Sequence, residues 1–320
     1  MTTKAKTATA PVVVNRVPRW KATLRLMKRN WVLYLLLLPA LIYIATFNYG
    51  PMYGVQIAFR NFTFADGITG SKWVGWKWFK FFFNSAKCWP LIRNTLLISF
   101  YSVLAGFPVP ILLALMLHNI PSVKFKRTAQ TITYLPHFIS LVVVVGMISC
   151  FTSINSGWIN TLIETLGGER VYLMGKPEYY RHLYVWSGVW QEAGWGSIIY
   201  MAALTGVSPE LHEAATIDGA SKLQRIRHID LPAILPTITI MLIMRCGSIM
   251  SVGFDKSYLM MNSLNMDVSE VIATYTYQMG LLSGKYSYST AISLFNNVIN
   301  FVFLTAVNKF AKIVSGSSLW

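Results

Sequence analysis

The stretch SPELHEAATIDGASKLQRIRHIDLP, residues 208–232, is a polar, helix-patterned run inside an otherwise apolar C-terminal half. Ser208 followed by Pro209 supplies an N-cap and a first-turn residue: a serine oxygen accepts from an unpaired amide, and proline has no amide to leave unpaired. Asp218-Gly219 stops that helix where the backbone needs the freedom of a residue without Cβ. Ser221 with Gln224 fits a capping box and opens a second helix. Along it Leu223, Ile226 and Ile229 recur every three residues, and Pro232 is placed to begin the next segment. The spacing predicts two helices joined by a turn, the first short, exposed and small-faced through Ala214 and Ala215.

The flanking sequence has a membrane composition. Of 320 residues 54% are hydrophobic and 12% charged, with a mean hydropathy of +0.47; soluble domains carry about 25% charged residues. A bilayer-crossing helix takes roughly 20 mainly apolar residues. Runs of that kind predict an all-α polytopic membrane protein with six core transmembrane helices, at 31–55, 94–118, 129–152, 183–205, 232–253 and 288–308. The predicted organisation is a basic tail 1–30, a first span with an aromatic external segment 31–93, a core 94–312 containing the loop 208–232, and a tail 313–320. The segment 56–93 mixes Trp73, Trp76, Trp78, Phe79, Phe81, Phe82 and Phe83 with lysines, a pattern suited to the headgroup layer. Residues 153–182 and 254–286 read as external loops, and Lys124, Lys126 and Arg127 mark a short cytoplasmic turn.

A net charge of +16 points to nucleic acid in a soluble protein, but here membrane orientation accounts for it and no nucleic-acid partner is expected. Residues 1–30 carry Lys4, Lys6, Arg16, Arg19, Lys21, Arg25, Lys28 and Arg29 and no acid, which places both this tail and, after six spans, the C-terminus in the cytoplasm. Such a tail also suits anionic membrane lipid. Segments inside then hold sixteen basic against four acidic residues, net +12, and segments outside eleven against seven, net +4. No small-residue cleavage signal follows 31–47, so the first span is expected to be retained. Cys88, Cys150 and Cys246 are too far apart for a zinc ribbon or a disulfide framework. Gly175-Lys176 and Gly284-Lys285 lack the upstream glycine of a phosphate loop, and His212-Glu213 lacks a second histidine four residues on. No catalytic residue, metal or cofactor is therefore expected on this chain, which is not itself an enzyme.

Glu213-Ala214-Ala215, three residues, Gly219, nine residues and Ile229-x-Leu231-Pro232 resemble the cytoplasmic loop signature of permease subunits in binding-protein-dependent ABC importers, and Asp218 and Ala220 match its commoner form. The resemblance implies the type I ABC importer permease fold in a bacterial inner membrane. It also implies that this helix is a coupling helix docked in an ATPase groove, with Glu213 meeting a basic group and Gly219 allowing the exit. The implied partners are a second permease, giving a heterodimer, two ATPase subunits that use ATP and Mg, and an extracytoplasmic solute-binding protein. The stretch YGPMYGVQIAF, residues 49–59, is similar to permeases for complex oligosaccharides, including alginate-type and pectin-derived ones, so an oligosaccharide substrate is expected.

Ionisable groups within spans usually face a path or a partner. Trp186, Trp190, Gln191, Glu192 and Trp195 offer flat apolar faces beside hydrogen-bonding groups, as sugar rings require. Arg245 would attract a carboxylated sugar. The same residues also suit an interfacial aromatic belt and a structural Glu192–Arg245 ion pair. Asn296 and Asn300, one helical turn apart, either line a polar path or join helices, while Met241, Met244 and Met250 suit packing. Import of a non-sugar solute and an ATP-independent channel are the alternatives, although a channel has no use for the coupling signature.

The orientation is checked by cysteine labelling in intact cells: a cysteine at Gly168 reacts with an impermeant reagent, and one at Gly316 reacts only after permeabilisation.

Overall fold

The computed structural model describes residues 19–316 together with 318 and 319. Lys4, Lys6 and Arg16 of the basic tail, and Trp320, lie outside the described residues. All regular elements among the described residues are helical, as the hydropathy pattern requires, with one isolated bridge between Arg60 and Trp73.

Two compact units divide the chain, Met1–Val55 and Gln56–Trp320. The first holds the basic helix Arg19–Arg29 and the apolar helix Trp31–Ile44, which loosens into a π turn at Ala45–Tyr49 just before Pro51, a residue with no amide to donate. In the second unit four features depart from the sequence expectation.

The aromatic segment after the first span, expected in the headgroup layer, packs into the core of the second unit. Ala58 meets Ala291, and Phe82, on the helix Lys77–Phe83, packs on Tyr288 and Phe295. Trp73, Trp76, Phe81 and Phe83 remain exposed.

The expected third span is broken. A helix Val123–Tyr134 tightens into a 3-10 turn at Leu135–Phe138 and meets Leu141–Phe151 at a bend of 96°. Pro136 cannot continue the helical ladder, Ile139 is extended, and Ser140 caps the next helix.

The fifth span stops at Cys246 rather than at 253. Gly247–Val252 leave helical geometry and fold against Tyr286–Ser315, where Asn300 receives Met250 N at 2.8 Å and donates to Ser251 Oγ at 2.9 Å.

The segment 254–286, expected as an external loop, is an ordered part of the core, with Met260, Val271, Ile272 and Thr274 buried. Asn94 donates to the carbonyls of Asp267 and Glu270, Thr95 receives Ile272 N, and Lys87 pairs with the buried Glu270 at 2.6 Å. That bond raises the Lys87 pKa above its ordinary value. In segment 153–182 the buried Asn160 bridges Thr152, Ser153 and Val171, while hydrogen bonds from Arg170 hold the Glu164 carboxyl below its ordinary range.

The centre of this unit is the helix Pro177–Leu204, whose 28 residues cover about 42 Å at 1.5 Å per residue, ample for a bilayer. Tyr180, Tyr184, Gly194, Ser197, Met201 and Leu204, spaced by three, four or sums of the two, form its buried stripe. It packs on Cys88–Gly106 and Pro108–His118 on one side and on Leu231–Cys246 on another. Four helices elsewhere meet the length and apolarity of a span, and the broken pair is a fifth. Pro177–Leu204 completes the six; its lower apolarity reflects the polar residues it turns to the interior.

Gly194 fixes where this helix touches the broken span, since a Cβ there would overlap the Thr133 carbonyl. Small residues of this kind let membrane helices approach closely. Gly194→Ala should therefore destabilise the detergent-solubilised chain by about 1–3 kcal/mol through overpacking. Gly146→Ala, with nothing within 4 Å of the new carbon, should leave the thermal midpoint essentially unchanged.

Candidate functional site

The break at Gly247 leaves room beside the central helix. A cavity of about 510 Å³ opens there, lined by Ser99, Ser102, Tyr184, Glu192, Trp195, Arg245, Ser248, Ser251 and Lys256 among others. Its volume falls within the range of small-molecule sites, roughly 300–1,000 Å³, and its wall alternates aromatic faces with hydroxyl and charged groups.

Glu192 is one of its charges. Its carboxylate lies 3.0 Å from His137 Nδ1, and the His137 ring stacks on Trp195 with centroids 4.4 Å apart at an interplanar angle of 3°. The three residues form one unit in which the broken span supplies the histidine and the central helix the acid and the indole. Arg245, in the last turn of Leu231–Cys246, lines the same cavity but makes no salt bridge among the described residues. The alternative of a Glu192–Arg245 ion pair is therefore replaced by a Glu192–His137 contact. A second cation, Lys256 on Phe254–Met260, is 8% exposed; its Nζ donates to the Tyr184 carbonyl at 2.8 Å and sits 4.8 Å from the centre of the Tyr184 ring.

Other expected solute contacts stand elsewhere. Trp186 donates to Tyr101 Oη, which also meets His182, and Trp190 is exposed outside the cavity wall. Gln191 is buried and donates to the Ile139 carbonyl at 3.0 Å, so it satisfies the acceptor that the broken span exposes. Asn300 secures the non-helical stretch after Cys246, and Asn296 is outside the lining, its buried Oδ1 without a hydrogen-bond partner among the described residues. Of the eight expected contacts, Glu192, Trp195 and Arg245 thus line the cavity and the other five do not. Lys256 lies on that wall and His137 stands behind it, against Glu192 and Trp195, although both fall outside the segments whose composition drew attention.

At the other end of the central helix the loop 208–232 takes most of its expected form. Pro209–Ile217 is helical, Gly219 has φ +77°, and both halves of the Ser221–Gln224 capping box are present. Ser208 is extended at the N-cap position but its side chain makes no capping hydrogen bond. Gly219 N and Ala220 N return to the carbonyls of Thr216 and Ala215, closing the helix end in the way a left-handed residue allows. Glu213, Ala214, Asp218 and Gly219 are exposed, while Ala215 and Ala220 are half-buried. The second helix is not separate. Lys222–Arg225 runs through a π turn, Ile226–Asp230, into Leu231–Cys246, so Pro232 lies within one continuous helix. The π turn absorbs the hydrogen bond that proline cannot make.

Residues 106–315 match the family described as "Binding-protein-dependent transport system inner membrane component". "Protein LplB" of Bacillus subtilis (strain 168) is 42% identical over 313 residues, 98% of either chain. The "Polygalacturonan/rhamnogalacturonan transport system permease protein YteP" of the same organism is 40% identical over 301 residues, 94% of either chain. Among solved structures the chain is similar, with a TM-score of 0.84 and 39% identity over 93% of its length and 99% of the other, to one from a bacterial ABC transporter involved in the import of the acidic polysaccharide alginate. A second, from a bacterial alginate ABC transporter in complex with an alginate pentasaccharide-bound periplasmic protein, gives a TM-score of 0.85 and 38% identity over 94% and 99% of the two chains.

Proposed function

Because the chain belongs to the family of binding-protein-dependent transport system inner membrane components, we propose that it is the permease subunit through which an ABC importer passes an acidic oligosaccharide across a bacterial inner membrane. The observation that carries the acidic cargo is the charge of the cavity. Arg245 and Lys256 stand on its wall and neither makes a salt bridge among the described residues, while its one carboxylate, Glu192, lies 3.0 Å from His137. A cation inside a membrane is costly unless it faces an aqueous path or meets an anion, and a uronic-acid unit in that path brings one carboxylate per ring. Trp195 and Tyr184 add the flat faces on which sugar rings rest. Relatives whose names specify polygalacturonan or alginate favour the same class of cargo.

The assembly is a heterodimer with a second permease, two ATPase subunits that use ATP and Mg, and an extracytoplasmic binding protein that delivers the saccharide; both chain ends are cytoplasmic. Pro209–Ile217 is the coupling helix. Its exposed Glu213 and Ala214 enter the ATPase groove, and Gly219 makes the exit turn beside Asp218 and Ala220. Because the chain leaves this turn directly into the helix that carries Arg245 in its last turn, closure of the ATPases moves a cavity wall. Solute passes by alternating access.

Two measurements test these roles in proteoliposomes holding the full importer. At φ +77° a β-branched residue is strained and asparagine is tolerated, so Gly219→Val should abolish most saccharide uptake and Gly219→Asn should retain most of it, both with normal assembly. Glu213→Lys should uncouple uptake from ATP hydrolysis, and wild-type uptake from it removes the coupling assignment. Arg245→Gln should lower uptake of a uronic-acid oligosaccharide by about tenfold, the weight of one charged hydrogen bond, while basal ATPase activity and uptake of any neutral saccharide persist. Equal loss for charged and neutral sugars makes Arg245 a structural residue.

A further inference from the structure

Beneath the coupling-loop helix, away from the cavity, three side chains from distant parts of the sequence converge. His118 closes the helix Pro108–His118, His212 lies in the middle of Pro209–Ile217, and Asp230 ends the π turn that leads into Leu231–Cys246. A ring nitrogen of each histidine and a carboxylate oxygen lie within 4.8 Å of one another. His212 Nε2 is 3.1 Å from Asp230 Oδ1, and the two imidazole rings are centred 6.3 Å apart.

Asp230 is completely buried. Its Oδ2 receives Asn119 Nδ2 at 3.2 Å, but Oδ1, His212 Nε2 and His118 Nδ1 are all buried without a hydrogen-bond partner among the described residues. A buried carboxylate with an unfilled lone pair is expensive. One proton shared between His212 and Asp230 would satisfy that pair and leave His118 unused. A divalent ion satisfies all three. Ligand atoms on one tetrahedral zinc, bonded at about 2.0–2.1 Å, stand about 3.3 Å apart, so the His212–Asp230 pair is already at coordinating separation. Side-chain rotation of His118 closes the rest. Asn119 occupies the position of an outer-shell group that orients the ligating carboxylate.

We propose that His118, His212 and Asp230 bind a divalent transition-metal ion of the zinc class, with a fourth position open to water. Two imidazoles and a carboxylate select zinc, cobalt or nickel over magnesium or calcium, which take oxygen ligands. The ion ties the loop helix to the end of one membrane helix and the start of another. His212 is turned inward, 23% exposed, so the site coexists with an exposed Glu213 face. It stands independently of the saccharide assignment.

The test is a titration of the full chain in detergent, stripped of metal, with Zn²⁺ against a chromophoric chelator. One ion per chain with a Kd at or below the micromolar range is expected, together with the visible bands of a four-coordinate site when Co²⁺ is used and a higher thermal midpoint with Zn²⁺. His118→Gln and His212→Gln should each weaken binding at least tenfold and erase the midpoint shift, whereas His228→Gln, on the same loop, should change neither. No binding tighter than 100 μM to the wild-type chain overturns the proposal, and so does binding that survives both the His118→Gln and His212→Gln substitutions. The Co²⁺ spectrum of the wild-type protein decides the coordination even if a variant fails to fold.

Discussion

Inside a bilayer a backbone amide or carbonyl has no water to turn to, and each must find its partner within the protein. This chain breaks helical geometry twice at membrane depth, and both breaks are closed by a side-chain amide from a neighbouring helix. Gln191 takes up the Ile139 carbonyl, and Asn300 holds Met250 and Ser251. Without these two amides the breaks would be orphaned polar backbone. With them, the second break becomes part of a cavity wall, since irregular backbone is tolerated where it lines an aqueous space. Gly194 sets how closely the first break can lean on the central helix.

Around that cavity the charges sort by environment. Glu192 has a histidine that is itself clamped flat against Trp195, so the acid is held and oriented. Arg245 and Lys256 reach the same space from two other segments, Leu231–Cys246 and Phe254–Met260. Lys256 is the more committed, buried against the Tyr184 carbonyl and ring. The excess of positive charge is thus local to the cavity wall and separate from the basic surface that orients the chain.

Mechanical continuity links the cavity to the loop. A helix begins at the Ser221 capping box, just after Gly219, and passes through a π turn to Cys246, with Arg245 in its last turn. His118, His212 and Asp230 sit beneath the loop helix, where an ion would govern its freedom relative to the spans.

Local signals were legible in the residues themselves: helix caps, the Asp218-Gly219 stop, apolar runs of bilayer length and the loop signature. Each depends on neighbours within a few positions, which propensity, hydropathy and backbone sterics decide without the rest of the fold. A proline kept its local meaning and changed its consequence, since Pro136 bends a span where Pro232 is absorbed by a π turn. Only tertiary structure decided which of Trp186, Trp190, Gln191, Glu192 and Trp195 face the cavity, because a helix buries one stripe and its neighbours determine which. It also turned two external segments into core and joined His137 to Glu192, Asn300 to Met250, and His118 to His212 and Asp230. Those pairs are 50 or more residues apart in most cases, and no periodicity encodes a contact between side chains that meet only when separate helices pack.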